Sequence, residues 1–209
     1  LINSMANCVY AFNHKIWSED KIFLGDVHDS VYSYATSRRL LLSSSKIFNN
    51  PKLFRITNLI FANIYGPNDH KDPYRTHALS GLILRFLEVL KKKQQNIEIW
   101  GTGLPKRDWL YIDDACRAFE KLINKGNSTH QNINIASNEI ISIKKLSFKI
   151  KKILNWNGEV TFNDNYPDGD LLKSFDTSIA KNYLKWSSKT SLDEGINNTI
   201  NYYKDVMSL

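Results

Sequence analysis

Four groups of side chains in this sequence have the types and spacing that chemistry requires. Cys8 stands two residues before Tyr10 near the end of an apolar stretch, where a thiol can act as a small hydrophobe or as a proton carrier. Tyr34 and Arg38 lie four residues apart, so a helix places them on one face. A cation there can lower a phenol pKa and make the phenol a proton donor or acceptor near neutral pH; a surface Tyr beside a surface Arg has the same spacing. Asn63, His77 and Arg85 form the third group, with His77 opening a helix and Arg85 two turns later. A His in that place can transfer protons or simply end a helix in solvent. The fourth group pairs Arg107, which follows a double-glycine loop, with Lys173, which follows Pro167-Asp168-Gly169. Two cations on separate loops fit a diphosphate clamp, and scattered solubilising charge fits nearly as well.

Elements must hold these groups. Residues 1–10 are short, mostly apolar and read as a buried strand, followed by a polar loop over residues 11–31. Residues 30–48 have helical spacing with Leu40, Leu41, Ser44 and Ile47 along one side, and Asn49-Asn50-Pro51 stops the helix. Residues 52–60 alternate and then become wholly apolar, as a central strand of a parallel sheet does, and Tyr65-Gly66-Pro67-Asn68-Asp69 is turn chemistry. Residues 77–93 form an amphipathic helix whose stripe is Leu79, Leu82, Ile83, Phe86, Leu87 and Leu90. Short strands are expected over residues 97–100, 109–112, 132–136 and 159–162. Asp113 is placed to cap a helix running to about residue 124, Ser142 a lysine-rich helix to residue 154, and Ser191, with Glu194 three residues on, a last helix to residue 206. Strands and helices alternate throughout, so the fold class is α/β.

Composition bounds the function. The chain has 209 residues, 42% hydrophobic and 23% charged, which excludes a disordered, collagenous or disulfide-stapled protein. Its apolar runs are too short to span a bilayer, and no signal peptide is visible. With only Cys8 and Cys116, a reducing compartment, the cytoplasm, is expected. The net charge of +7 suits an anionic partner without naming it. Lys91, Lys92 and Lys93, and Lys149, Lys151 and Lys152, read as solvated helix faces lacking aromatic interleaving, so neither nucleic acid nor membrane is expected as a partner. No G-x-G-x-x-G, Walker A, H-E-x-x-H or C-x-x-C motif occurs in the sequence. The chain begins at Leu1 and its first Met is Met5, which reads as a cut.

The motifs together are more specific than any alone. Asn63-Ile64-Tyr65-Gly66-Pro67-Asn68-Asp69, then Trp100-Gly101-Thr102-Gly103 with Pro105 and Arg107, then Tyr111-Ile112 with Asp114, resemble the extended short-chain dehydrogenase/reductase family of NAD(P)-dependent epimerases and dehydratases. Within it, the GDP-L-fucose synthase branch is the best match. Pro167-Asp168-Gly169 with Lys173 and Asp176, and Leu192 with Glu194-Gly195-Ile196, extend the likeness nearly to the end. The resemblance implies the C-terminal part of a Rossmann-like doubly wound parallel sheet, over residues 1–66, plus a small α/β substrate-binding domain that returns elements to that core, over residues 67–209. The opening βαβ units of the family, roughly 100 residues, have no counterpart in the sequence.

The resemblance also implies roles. Family members epimerise C3 and C5 of a GDP-4-keto-6-deoxy-mannose with a Cys and a His, and reduce C4 with NADPH through a Tyr, a Lys and a Ser. Cys8, His77 and Tyr34 stand at the first three of these positions, although an alignment through Tyr32 is also open. The Lys is replaced by Arg38, or by Thr36 in the offset alignment, and the Ser by Ala6; Ser4 shares its face but lies about 6–7 Å away along a strand. The resemblance assigns Tyr34, Arg38, Phe61, Ala62, Asn63, Ile64 and His77 to NADP(H), although the family's Pro-Thr before the Asn is lost. It assigns Asn63, Arg85, Trp100, Arg107, Asp168 and Lys173 to the GDP-sugar. Lacking the Gly-rich turn, the Lys and the Ser, the chain is expected to bind NADP(H) poorly and to be impaired or inactive as a reductase. The alternatives are a non-catalytic nucleotide-sugar-binding or partner protein, and another nucleotide-sugar epimerase or dehydratase. A homodimer through the helix carrying Tyr34 is left open.

Overall fold

The computed structural model describes residues 1–11, 15–50, 52–72, 76–126, 128–169 and 171–209. In chain order its elements are β1 (Ile2–Ala6), α1 (Tyr32–Phe48), β2 (Thr57–Phe61), β3 (Asn63–Tyr65), α2 (Ala78–Lys91), β4 (Asn96–Trp100), β5 (Lys106–Tyr111), α3 (Ile112–Lys125), β6 (Asn132–Ile135), β7 (Ile140–Ser142), α4 (Ile143–Ile153), β8 (Glu159–Asn163), α5 (Ser178–Asn182) and α6 (Leu192–Met207). The α/β class expected from the alternation is the class observed.

One sheet has the order β1-β2-β6, all parallel. Every residue of β2 is buried, including Thr57 and Asn58 ahead of the apolar Leu59-Ile60-Phe61, as befits a central strand. The register places Asn3 opposite Asn58 and Asn58 opposite Asn132, and their amides form a ladder across the sheet. Asn3 Nδ2 donates to Asn58 Oδ1 at 2.9 Å, and Asn58 Nδ2 donates to Asn132 Oδ1 at 2.8 Å. Ser45 of α1 joins it, donating to Asn58 Oδ1 at 3.2 Å. This corrects the expected face of α1. Leu40 and Ile47 are 67% and 77% exposed, and the buried residues are Ala35, Leu42 and Ser45. The helix meets the sheet over an amide ladder, so a hydroxyl at the contact satisfies polar groups that a leucine would leave unpaired.

A second sheet pairs β3 with β5 in parallel and β5 with β7 antiparallel, and a third pairs β4 with β8 in parallel. β2 ends at Phe61 and β3 begins at Asn63, so the chain crosses from the first sheet to the second at Ala62. Asp108 of β5 ties the sheets together. Fully buried, it accepts from Ser137 N at 2.9 Å, Ser137 Oγ at 2.8 Å and Asn138 N at 2.8 Å, just beyond β6. Two apolar cores result, one around Leu59, Ile60, Ile133 and Trp186, the other around Phe86, Leu87, Trp156 and Ile196.

Several element ends differ from the sequence expectation. β1 stops at Ala6, and Asn7–Val9 form a 3-10 turn, from which the Asn7 side chain donates through Nδ2 to Phe61 O at 3.3 Å. The strand after α1 covers only residues 57–61, and Asn63–Tyr65 is a further strand that was not expected and ends on the first residue of the expected turn. Tyr111, not Asp113, is the N-cap of α3. Asp114 is the structurally engaged acid there, accepting from Lys189 N at 2.8 Å and Thr190 N at 3.0 Å. Ser142 and Ser191 cap as expected, accepting from Lys145 N and Glu194 N at 3.2 and 3.3 Å.

Candidate functional site

An open cleft of about 620 Å³ lies at the carboxyl ends of β1 and β2. That end of an open parallel sheet is where α/β proteins place ligands. Its lining brings together Cys8, Tyr34, Arg38, His77 and Lys173 with Phe61, Ala62, Asn63 and Ile64. The 3-10 turn after β1 sets Cys8, and the first turn of α1 sets Tyr34. Tyr32 is absent from the cleft lining, and it is 57% exposed.

Polar contacts fix the floor of the cleft. Lys173 Nζ donates to Asn7 Oδ1 at 3.4 Å, Asn7 Nδ2 donates to Asn63 Oδ1 at 3.3 Å, and Asn63 Nδ2 donates to Asp108 O at 3.1 Å. Lys173 also lies 5.4 Å from the centroid of the buried Trp17 ring. Burial pushes the Cys8 thiol above its ordinary pKa, against the opposing pull of Lys173, Arg38 and Arg39. His77 is the N-cap residue of α2. Its ring Nδ1 is 3.1 Å from Asp69 Oδ2.

The remaining sequence-derived residues lie on a separate outer arm. Arg85 and Trp100 line a cavity of about 320 Å³ between α2, β4 and α4. The Arg85 guanidinium is 5.5 Å from the Trp100 ring centroid and donates to Glu98 O. Tyr166 stacks on Trp100 at 4.8 Å with a 20° interplanar angle. Asp168 accepts from Thr102 N at 3.0 Å and from the Thr102 hydroxyl. Gly101 has φ +83°, and a Cβ there would strike Asp168, so only glycine permits this approach. Arg107 and Lys173 come from adjoining backbone segments, since Lys173 N donates to Lys106 O at 3.3 Å. Their side chains nonetheless part: Lys173 lines the inner cleft and Arg107 does not, its guanidinium passing beside Gly169. Sequence reasoning missed Asn7, Asp69, Thr102 and Tyr166. Asp69 and Thr102 lie within the quoted motifs and Tyr166 next to Pro167-Asp168-Gly169, while Asn7 carried no local signal.

The resemblance places the cleft residues at the nicotinamide end of a dinucleotide site. Tyr34 and residues 61–64 line it, but Ala6 has no hydroxyl to offer. Arg38 lies over the Tyr34 ring face, 5.0 Å from its centroid, whereas a cation that tunes the phenol would sit at its oxygen. These 209 residues contain no glycine-rich turn for a pyrophosphate. They do not by themselves make up an NADP(H) site.

Comparison with known proteins identifies the family. The model of the NAD dependent epimerase/dehydratase family matches residues 1–136. The chain belongs to this family. Among its relatives, GDP-L-fucose synthase 1 of Arabidopsis thaliana is 32% identical over 141 residues, covering 68% of this chain and 43% of that protein. GDP-L-fucose synthase of Escherichia coli K12 is 23% identical over 207 residues, covering 95% of this chain and 64% of that protein. A crystal structure of a GDP-L-fucose synthetase from Naegleria fowleri bound to NADP superposes with a TM-score of 0.88 at 22% identity, over 99% of this chain and 66% of that one; at that identity the likeness establishes the Rossmann-like fold. The chain therefore spans between 43% and 66% of the length of these epimerase/dehydratase relatives. Among the described residues, no helix is long and apolar enough to cross a membrane.

Proposed function

We propose that this chain binds a GDP-sugar of the 4-keto-6-deoxy-mannose type and retains proton-transfer chemistry at its C3 and C5, with reductase capacity impaired. The observation that carries this reading is the shared lining of one cleft by Cys8, His77 and Lys173. A 4-ketone acidifies the C–H bonds at C3 and C5. Epimerisation then needs one group to take the proton, giving an enolate, and another to return a proton on the opposite face. A thiol and an imidazole supply that pair without a redox step. Hydride transfer asks for more: Ala6 removes a hydrogen bond to the developing oxyanion, worth ~10²-fold or more in rate. The geometry of Arg38 over the Tyr34 ring supports the same conclusion. The outer arm, with Arg85, Trp100, Arg107 and Asp168, is the proposed seat of the nucleotide.

The test is incubation of the chain with GDP-4-keto-6-deoxy-mannose in D₂O, followed by NMR of the sugar. Deuterium at C3 or C5, lost in Cys8→Ala and His77→Ala, is expected. Binding by calorimetry without exchange would favour a nucleotide-sugar-binding protein without catalysis, for which Ala6 and Arg38 also speak. Neither heat nor exchange at millimolar ligand would remove both.

A further inference from the structure

His77 and Asp69 make a contact that the chemistry above leaves unused. We propose that Asp69 is a positioning residue, which holds the His77 imidazole with its proton on Nδ1 and leaves Nε2 to meet the substrate. The inference rests on the proposed proton-transfer role of His77.

Asp69 gathers one end of the loop that delivers His77 to α2. Its Oδ1 accepts from His70 N at 2.7 Å, and its Oδ2 accepts from His77 N at 3.2 Å. Both oxygens also lie near His77 Nδ1, at 3.2 and 3.1 Å. The carboxylate therefore grips the backbone and the ring of the same residue, which fixes the position of the ring as well as its hydrogen bond. Burial pushes the Asp69 carboxyl up, but hydrogen bonds from Thr76 and His70 N–H, with the charge and N–H of His77, outweigh it and hold the carboxyl below its usual range. At neutral pH it is ionised and can only accept. His77 Nδ1 must then be the donor, and the lone pair of a neutral ring falls on Nε2. Left to itself, an exposed imidazole exchanges between both tautomers. His77 is such a ring, with a side chain 76% exposed against 16% for Asp69. A less exposed acceptor thus sets the chemistry of an exposed base. His77 also stands between the cleft and a neighbouring cavity of about 510 Å³ lined by Asp69, Tyr111 and Asp113, so a ring free to turn could offer its lone pair to the wrong side.

The experiment is ¹⁵N NMR of the imidazole in the full chain, assigned with His77→Gln, at a pH where the ring is neutral. In the wild type the proton is expected on Nδ1, with Nε2 showing the shift of an unprotonated nitrogen. Asp69→Glu keeps both acceptor oxygens and is expected to retain this tautomer. Asp69→Ala should shift population toward the form protonated on Nε2 and lower the rate of sugar deuteration, with Asp69→Glu restoring part of it. A clasp needed only for the loop would change melting temperature and leave the tautomer alone. A wild-type ring protonated on Nε2, or one with the same tautomer in Asp69→Ala, overturns the proposal. If Asp69→Ala fails to fold, the wild-type and Asp69→Glu spectra still decide it. If the tautomer responds as expected while His77→Gln exchanges deuterium normally, the positioning stands and the catalytic reading of His77 fails instead.

Discussion

The inner cleft and the outer arm keep their polar groups in order by different means. In the cleft, side chain holds side chain: Lys173 reaches Asn7, Asn7 reaches Asn63, and Asn63 rests on the backbone of Asp108. On the arm, Asp168 holds the loop after β4 through Thr102, and the exposed rings of Trp100 and Tyr166 lie stacked. A side-chain relay passes any substitution along its length, while a loop bracket and a ring stack can each be altered alone. The positions where the resemblance finds foreign residues, Ala6, Arg38 and Phe61-Ala62, all fall in the cleft, and the arm retains every residue assigned to it. Under the proposed function, the cleft would act on the sugar and the arm would capture its nucleotide.

Breaking the element they share should have the largest effect. Asp108→Ala removes the buried acceptor shared by three donors at Ser137 and Asn138 and loosens the strand beneath Asn63. A loss of ~3 kcal/mol or more is expected in urea denaturation, and a midpoint unchanged from wild type would show that the sheets hold together without it. Next comes the arm. Trp100→Ala removes an exposed stacking surface, and aromatic–base stacking of ~1–3 kcal/mol corresponds to a roughly fivefold to 150-fold loss in GDP affinity by calorimetry. Stability should change little, and Tyr34→Phe should leave GDP affinity as it was. Equal losses from both variants would merge the two regions into one site. The smallest effect belongs to the cleft alone. Lys173 is the foremost of the charges that draw the Cys8 thiol down, so its removal in Lys173→Met must raise that pKa. In a Cys116→Ser background, the pH profile of alkylation should move to higher pH, and an unmoved profile would detach Lys173 from the thiol.

Much of this was legible beforehand, for reasons specific to each element. α2 declared itself because its apolar residues recur at helical spacing and most of them are buried. α4 and α6 declared their starts through Ser142 and Ser191, since a cap and the amide it satisfies lie only three residues apart. The residue types of the cleft were also readable, as Cys8, Tyr34, Asn63 and His77 sit in recognisable runs. β3, β7 and α5 escaped notice because three to five residues are too few to display a period. The buried side of α1 was misread because periodicity records apolarity, while the surface opposite that helix is an amide ladder. Asp69 was hidden in a turn, and its eight-residue separation from His77 matches no helical or strand repeat.

The sequence by itself determined the alternation of strands and helices, two of the helix caps and the family motifs. All of these are properties of single residues or of neighbours within a turn or two. The tertiary structure alone decided that Asn3, Asn58 and Asn132 would share one line, that Lys173 would join Cys8 while Arg107 would not, and that Asp69 would hold His77. Each depends on strand register or loop closure between residues up to 166 positions apart. Those contacts arise only after the chain has paid its conformational entropy to bring distant segments together, so no local pattern encodes them.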